Sequence, residues 1–356
     1  MNSGNIMKVL AGAGAGAFIY WIIHATNQEE EQYRELSQQP GSLQQNKQRS
    51  KLRDSTTDLS VAGNLLVDLL QNTHIEYILG HDTHHVITID STATLDYALM
   101  RMNESNVVSL PIVDLQNKRY IGMLNIVDVC SYLGAHVPSE VAPNTSVAEV
   151  LKYNREPFLP LYVNSPIQLL IHIMTQRVPQ VAIMSNETIV VDIVSRLNVI
   201  KFIYENMEAL GNRSNNSITS LNLLSKSVCT IDSSSLVIDA INKLNNEGVS
   251  ELAIVNQDGA LIGCFSAADL RKLSIYTFNR CYEPVSKFIK LQDVSDETQL
   301  NLISPSSTLR STIRKFVEND APILWIVDSQ MKPVSSVTQL SLMKFFLNLS
   351  TSVFAE

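Results

Sequence analysis

Ser109-Leu-Pro-Ile-Val-Asp114 and, after a short polar gap, Tyr120-Ile-Gly-Met-Leu-Asn-Ile-Val-Asp128 carry the signals on which the fold turns. Two apolar runs separated by Gln116-Asn117 read as a hairpin, and the second runs directly into a helix start in which Asp128 stands three residues after Asn125. Working outward, Val86 to Asp90 reads as a strand, Thr94 to Asn103 as an amphipathic helix and Ile126 to Leu133 as a closing helix. The same order recurs three more times. Leu159 to Val163, Val228 to Asp232 and Asn301 to Ser304 open the later units, and Gln180 to Met184, Leu252 to Asn256 and Ile323 to Asp328 start their hairpins. Asp258-Gly259 is the tightest turn signal of the set. At each closing helix a Ser, Thr or Asn precedes a short polar residue by three: Asn125/Asp128, Ser195/Asn198, Ser266/Asp269 and Thr338/Ser341. The second members are spaced by 70, 71 and 72 residues, a period that marks a fourfold repeat. Asn206 to Ser220, rich in Asn, Ser and Gly, reads as a linker that divides the four units into two pairs.

From about Leu66 to Leu349 these strings resemble the CBS (cystathionine β-synthase) module. Val199-Ile-Lys-Phe-Ile203 and Leu342-Met-Lys-Phe-Phe346 are similar to module ends in the γ subunits of the AMP-activated/sucrose-nonfermenting protein kinases, and the four-module length also matches. The resemblance implies an α/β (α+β) fold of four CBS modules in two Bateman pairs, packed head to head as a disc with clefts for adenine nucleotides. The expected layout is an anchor helix over 1–26, a disordered tether over 27–58, a first pair over 59–205 (modules at about 66–135 and 155–205), a linker over 206–223, and a second pair over 224–350 (modules at about 224–275 and 298–349).

In such modules an Asp at the head of the closing helix can accept hydrogen bonds from both ribose hydroxyls, and Asp128 and Asp269 match that position. An Asp in a first helical turn also stabilises the helix dipole without any ligand. Asn125 and Ser266 fit helix caps that could rim a cleft, Ser195, Arg196 and Asn198 occupy the equivalent place in the second unit, and Ser91, Thr92, Ser233 and Ser234 read mainly as caps of the first helices. Departures from the γ pattern are as informative. Asn198 and Ser341 replace its Asp or Arg, and Ser109, Pro179-Gln180, Glu251 and Pro322-Ile323 stand where γ subunits present His and Arg to phosphates. Arg196, Lys201 and Lys272 are the cations that could substitute, although each is more often a solvated helix residue. The resemblance implies a non-catalytic sensor with AMP, ADP or ATP as a regulatory ligand, no cofactor, and kinase catalytic and β-type subunits as partners. The other reading is a ligand-free CBS scaffold tethered to a membrane.

Composition narrows the classes. A formal net charge of −8 and a pI near 5.4 offer no counter-charge to nucleic acid. Cys130, Cys229, Cys264 and Cys281 are scattered, without metal-ligand or disulfide patterning. No HExxH, GxSxG or Walker sequence occurs, so an enzyme is not expected. His81, Asp82, His84 and His85 are crowded, yet adjacent histidines on an extended chain face opposite ways, and a solvated loop is the better reading than a metal site. No charge occurs between Lys8 and Glu29, and Val9 to Ile23 is apolar or glycine throughout. With the flank to Gln28 the stretch reaches the roughly 20 residues that a membrane helix needs, so residues 9–28 read as an uncleaved anchor, and the folded part is placed facing the cytosol because adenine-nucleotide sensing and unpaired thiols fit there. Gly12, Gly14 and Gly16 lack the preceding strand of a nucleotide loop.

Overall fold

The computed structural model describes residues 59–79, 86–116, 119–136, 138–154, 158–176, 178–186, 189–290 and 300–351. The expected anchor and tether and the histidine group at 81–85 lie outside them. Among the described residues no helix is long and apolar enough to cross a membrane.

Helix α1 (Leu59–Asn72) leads into module 1, which contains β1 (Ile89–Asp90), α2 (Leu95–Glu104), β2 (Ser109–Asp114), β3 (Arg119–Asn125) and α3 (Ile126–Ala135). After the short helix α4 (Val147–Val150), module 2 has β4 (Leu161–Tyr162), α5 (Ile167–Thr175), β5 (Gln180–Asn186), β6 (Ile189–Ser195) and α6 (Arg196–Glu205). Module 3 has β7 (Thr230–Asp232), α7 (Val237–Glu247), β8 (Glu251–Val255) and β9 (Leu261–Ser266), and closes with a 3₁₀ stretch, Ala267–Lys272, in place of an α-helix. Following α8 (Val285–Phe288), module 4 has α9 (Leu309–Glu318), β10 (Ile323–Val327), β11 (Pro333–Thr338) and α10 (Gln339–Thr351). Its opening strand is reduced to one parallel bridge, Leu302 to Trp325.

The four hairpins are copies of one another down to their irregularities. Ser109 pairs with Asn125, Gln180 with Ser195, Glu251 with Ser266 and Ile323 with Thr338, and each register shifts three residues along, after Ile112, Ile183, Ile254 and Ile326. The opening helices bury the same i, i+3, i+4, i+7 stripe: Leu95/Ala98/Leu99/Met102, Ile167/Leu170/Ile171/Met174, Val237/Ala240/Ile241/Leu244 and Leu309/Thr312/Ile313/Phe316. Beyond three of these helices the chain turns through left-handed backbone at Asn106, Gly248 and Asp320, residue types that tolerate it.

The middle strand of each sheet is apolar on both faces because both are covered. In module 2, Val181 and Ile183 enter a core shared with helices, while Ala182 and Met184 meet Tyr120 of module 1. In module 4, Leu324 and Ile326 face the helices, while Ile323 and Trp325 meet Ala253 and Leu261 of module 3. Sheet faces thus join 1 to 2 and 3 to 4, giving two CBS-type pairs. The helical cores run across the pairs, with modules 1 and 3 sharing one and modules 2 and 4 the other.

Within each pair the segments leading into the modules are exchanged. Ile75 and Glu76, ahead of module 1, donate to Ser165 and Val163 of module 2 at 2.9 and 3.0 Å, and Ile167 donates back to Thr73. Leu95 donates to Thr145 and Val147 to Ala93, both at 2.8 Å, so the segment ahead of module 2 docks on module 1. The second pair repeats this through Ile218 to Ser307, Leu309 to Asn216, Val237 to Glu283 and Val285 to Ser235. The segment expected to be a plain linker therefore packs, with Met207, Leu210, Ile218 and Leu223 buried.

The contact between modules 1 and 3 is partly polar. Asn245 on α7 donates to Cys130 O at 3.1 Å and accepts from Ser131 Oγ at 3.2 Å. Gly134 leaves room for that amide, since a Cβ there would stand 2.5 Å from Asn245 Nδ2. Gly134→Ala is expected to expel the amide and cost about 1–2 kcal/mol in urea denaturation. Asn245→Ala should cost a similar amount, and the double variant should cost clearly less than the two together; strict additivity would show that the glycine does not act through this amide.

Candidate functional site

Each closing helix begins with a reciprocal cap. Asn125 N–H donates to Asp128 Oδ2 at 2.8 Å, Ser195 N–H to Asn198 Oδ1 at 2.9 Å, Ser266 N–H to Asp269 Oδ2 at 3.0 Å and Thr338 N–H to Ser341 Oγ at 3.2 Å. The motif found by spacing is therefore four copies of one capping device. Asp128 is buried, whereas Asp269 is partly exposed and Asn198 exposed. Ser91, Thr92, Ser233 and Ser234 do not cap the opening helices. Thr94 caps α2, while Asp90 and Asp232 fold over their own turns, accepting the backbone N–H groups of Thr92 and Ser234 at 2.7 and 2.8 Å. These bonds and the neighbouring hydroxyls hold both carboxyls below the usual carboxylate range.

Asn125 does more than cap. Its Oδ1 accepts the Val127 N–H at 3.2 Å, which fixes the amide orientation, and its Nδ2 is left buried with no acceptor. No other buried side-chain N or O atom among the described residues lacks a partner. An orphaned donor of this kind costs about 1–3 kcal/mol unless something fills it. Asn125 also lines a cleft of about 360 Å³, open mouth included, between modules 1 and 2. Met123 and Asn125 at the end of β3 form one wall, Val178, Gln180, Val181 and Ala182 at the start of β5 form another, and Asn154, Phe158 and Leu159 of the intervening segment form the third. Gln180 is held by Ser109, whose hydroxyl donates to its Oε1, so the first residues of the two hairpins meet here. Asn154 Nδ2 donates to Met123 O at 3.2 Å and fastens the third wall to β3.

Of the expected site residues, the structure brings Asn125 and Asp128 together at this cleft's edge, with Asn125 lining it and Asp128 behind it. Ser195, Arg196 and Asn198 sit at the head of α6, and Ser266 and Asp269 at the head of the 3₁₀ stretch of module 3. The corresponding seam of the second pair is packed with Cys264, Ile323 and Trp325. The serines across β11 satisfy one another: Ser336 N–H and Oγ both donate to Ser225 Oγ, at 2.8 and 3.0 Å.

The three candidate cations are engaged by the protein. Arg196 donates through Nε and Nη2 to Met174 O at 3.2 and 2.8 Å, Lys201 pairs with Asp320 at 2.9 Å, and Lys272 pairs with Asp269 at 3.2 Å. Glu251, at the head of the third hairpin, is pushed up to about 7 by desolvation, against the Ser250 hydroxyl at 2.6 Å and the charge of Arg196, which both pull it down.

With this geometry in hand, comparison with known proteins is specific. The CBS domain model matches residues 79–135 and 220–276, which contain the hairpins of modules 1 and 3. CBS domains therefore occupy these two stretches of the chain. It is 24% identical over 264 residues to the SDS23 protein of Scheffersomyces stipitis and 23% identical over 273 residues to that of Candida albicans. These alignments cover 71% and 73% of this chain but 49% and 43% of the relatives, so it spans about half the length of those relatives. The solved structure of protein MJ1225 from Methanocaldococcus jannaschii, described as a candidate archaeal homologue of the AMP-activated kinase γ subunit, matches at a TM-score of 0.61 and 20% identity, covering 77% of this chain and all of that one. The match covers the fold described above.

Two outcomes follow from the site. Asp128→Ala leaves the buried Asn125 N–H without an acceptor and is expected to cost about 1–3 kcal/mol in denaturant unfolding, whereas Asp128→Asn, the residue type doing this duty at Asn198, should cost much less. For Glu251 the folded state binds its proton more tightly than the unfolded chain, so this residue's contribution to stability falls as pH rises from about 4.5 to 7. Glu251→Gln should flatten the melting temperature across that window, and an unchanged pH profile would refute the assignment.

Proposed function

We propose that this chain is a non-catalytic regulatory protein in which an adenosine ligand, bound between modules 1 and 2, sets the arrangement of the two CBS pairs and is read by a protein kinase complex. The observation that carries this reading is Asn125, which lines a cleft at a module seam and has a buried Nδ2 with no acceptor. Asp128, and Asp269 at the equivalent place in module 3, supply carboxylates suited to a ribose diol. The archaeal match, in its description as a candidate γ-subunit homologue, supports the choice of kinase catalytic and β-type subunits as partners.

A ligand that binds only the folded state raises its stability by about 2.7 kcal/mol at a hundredfold excess over Kd. A thermal-shift panel of adenosine, AMP, ADP, ATP and S-adenosylmethionine on the full chain is expected to raise the melting temperature for at least one compound, and Asp128→Ala to weaken that response. Silence across the panel would favour the second reading, a ligand-free CBS scaffold, which the packed seam of the second pair and the engaged cations support. Co-purification with kinase catalytic and β-type subunits tests the partnership. The membrane tether rests on the apolar run Val9 to Ile23, with retention in the membrane fraction after carbonate washing the expected result, and the cytosol-facing placement rests on the sensing role and the free cysteines.

A further inference from the structure

We infer that the first pair carries a separate site for a small aliphatic amine, at which Tyr132, Glu140 and Glu149 receive its ammonium groups. The C-terminal end of α3 and the segment running from it to α4 border a hollow of about 690 Å³ with its open mouth, or about 330 Å³ counting only the room in which a solvent molecule fits. The smaller figure lies within the about 300–1,000 Å³ typical of ligand sites. The repeat does not require this space. In the second pair the corresponding stretch ends where Glu283 accepts Val237, as Thr145 accepts Leu95, and it sends Phe278 and Cys281 into the core.

Tyr132 supplies the unmet polar group. It is 7% exposed and lines the hollow, with its ring stacked on His136 at 4.2 Å and edge-on to Tyr153 at 5.4 Å. Its hydroxyl makes no hydrogen bond in the described structure, yet it is not among the sealed atoms that lack a partner, so it opens onto the hollow. A phenol oxygen can accept from an ammonium. Glu140 and Glu149 line the same hollow without an ion pair, and only Glu149 is engaged, its Oε2 accepting the Ser146 N–H at 2.9 Å. No lysine or arginine lines it among the described residues, and Val137 and Ser139, whose side chains lie outside them, are neutral. Two carboxylates without a counter-charge favour a cation. No three His, Cys, Asp or Glu side chains among the described residues are placed to hold a metal ion, whereas Val141 and Ala142 offer hydrocarbon that suits the methylenes of an amine.

Isothermal titration of the full chain with putrescine and spermidine tests this, alongside Tyr132→Phe and Glu140→Gln. Neither substitution removes a hydrogen bond or ion pair that the ligand-free fold makes, so both variants are expected to melt with the unaltered chain. Spermidine is expected to bind at one site, and each substitution to lower its affinity about tenfold. Tyr132→Phe is the sharper arm, because it leaves every charge in place and its loss cannot come from long-range attraction. Magnesium chloride is expected to compete no better than sodium chloride of equal ionic strength. Absence of binding by both amines would overturn the site. Binding that Tyr132→Phe leaves unchanged would overturn it as well, showing only the pull of a chain of net charge −8 on a polycation. Displacement by magnesium beyond the sodium control would overturn the choice of an amine in favour of a metal ion.

Discussion

The structure depends on a reciprocal exchange of backbone hydrogen bonds between the two modules of each pair. The segment ahead of each module does not stay with it: it docks beside the opening helix of the partner and accepts the first N–H group of that helix, as Thr145 does for Leu95 and Thr73 for Ile167. A lone module would lose these acceptors and would also expose the outer face of its middle strand, such as Ala182 and Met184. Buried backbone groups left unpaired are costly, so the pair, not the module, is the unit that can fold.

Much of this architecture was legible in the sequence, and the parts that were not have a common cause. Hairpins and caps are local, so Asn125/Asp128 and its three counterparts revealed themselves by type and spacing, whereas the bulge that recurs at one position in all four hairpins is visible only in the structure. The exchanged segments are short and make their bonds across tens of residues. Nothing in the composition of Asn206 to Ser220 shows that Leu210 and Ile218 are core residues, because the partners that bury them belong to modules 2 and 4. Ser91 and Ser233 were misread for a related reason: an Asx turn and a helix cap use the same residue types, and only backbone conformation separates them.

The candidate site was half legible. Asn125 and Asp128 stood out as a pair, but the sequence could not show that one amide would satisfy its oxygen locally and leave its nitrogen buried without a partner. Phe158, Leu159 and Asn154 carried no signal, since they become cleft walls only because the chain crosses from one module to the edge of the other's sheet. Fourfold repetition of the scaffold coexists with divergence of the seams. At the first, Met123 and Asn125 line a cleft, while at the second Ile323 and Trp325 meet Ala253 and Leu261.

The two contacts that join the pairs are both apolar cores with a few polar bonds added. Between modules 2 and 4, Ile171, Met174, Leu342, Met343 and Phe346 belong to a single dry core. Between modules 1 and 3, Asn245 reaches across to Cys130 and Ser131 over the space left by Gly134. A charged bond likewise crosses the other contact, where Lys201 of module 2 pairs with Asp320 of module 4. Drawing modules 1 and 3 apart would therefore wet not only the amide held over Gly134 but also the apolar core around it, so both sides resist opening for the same reason.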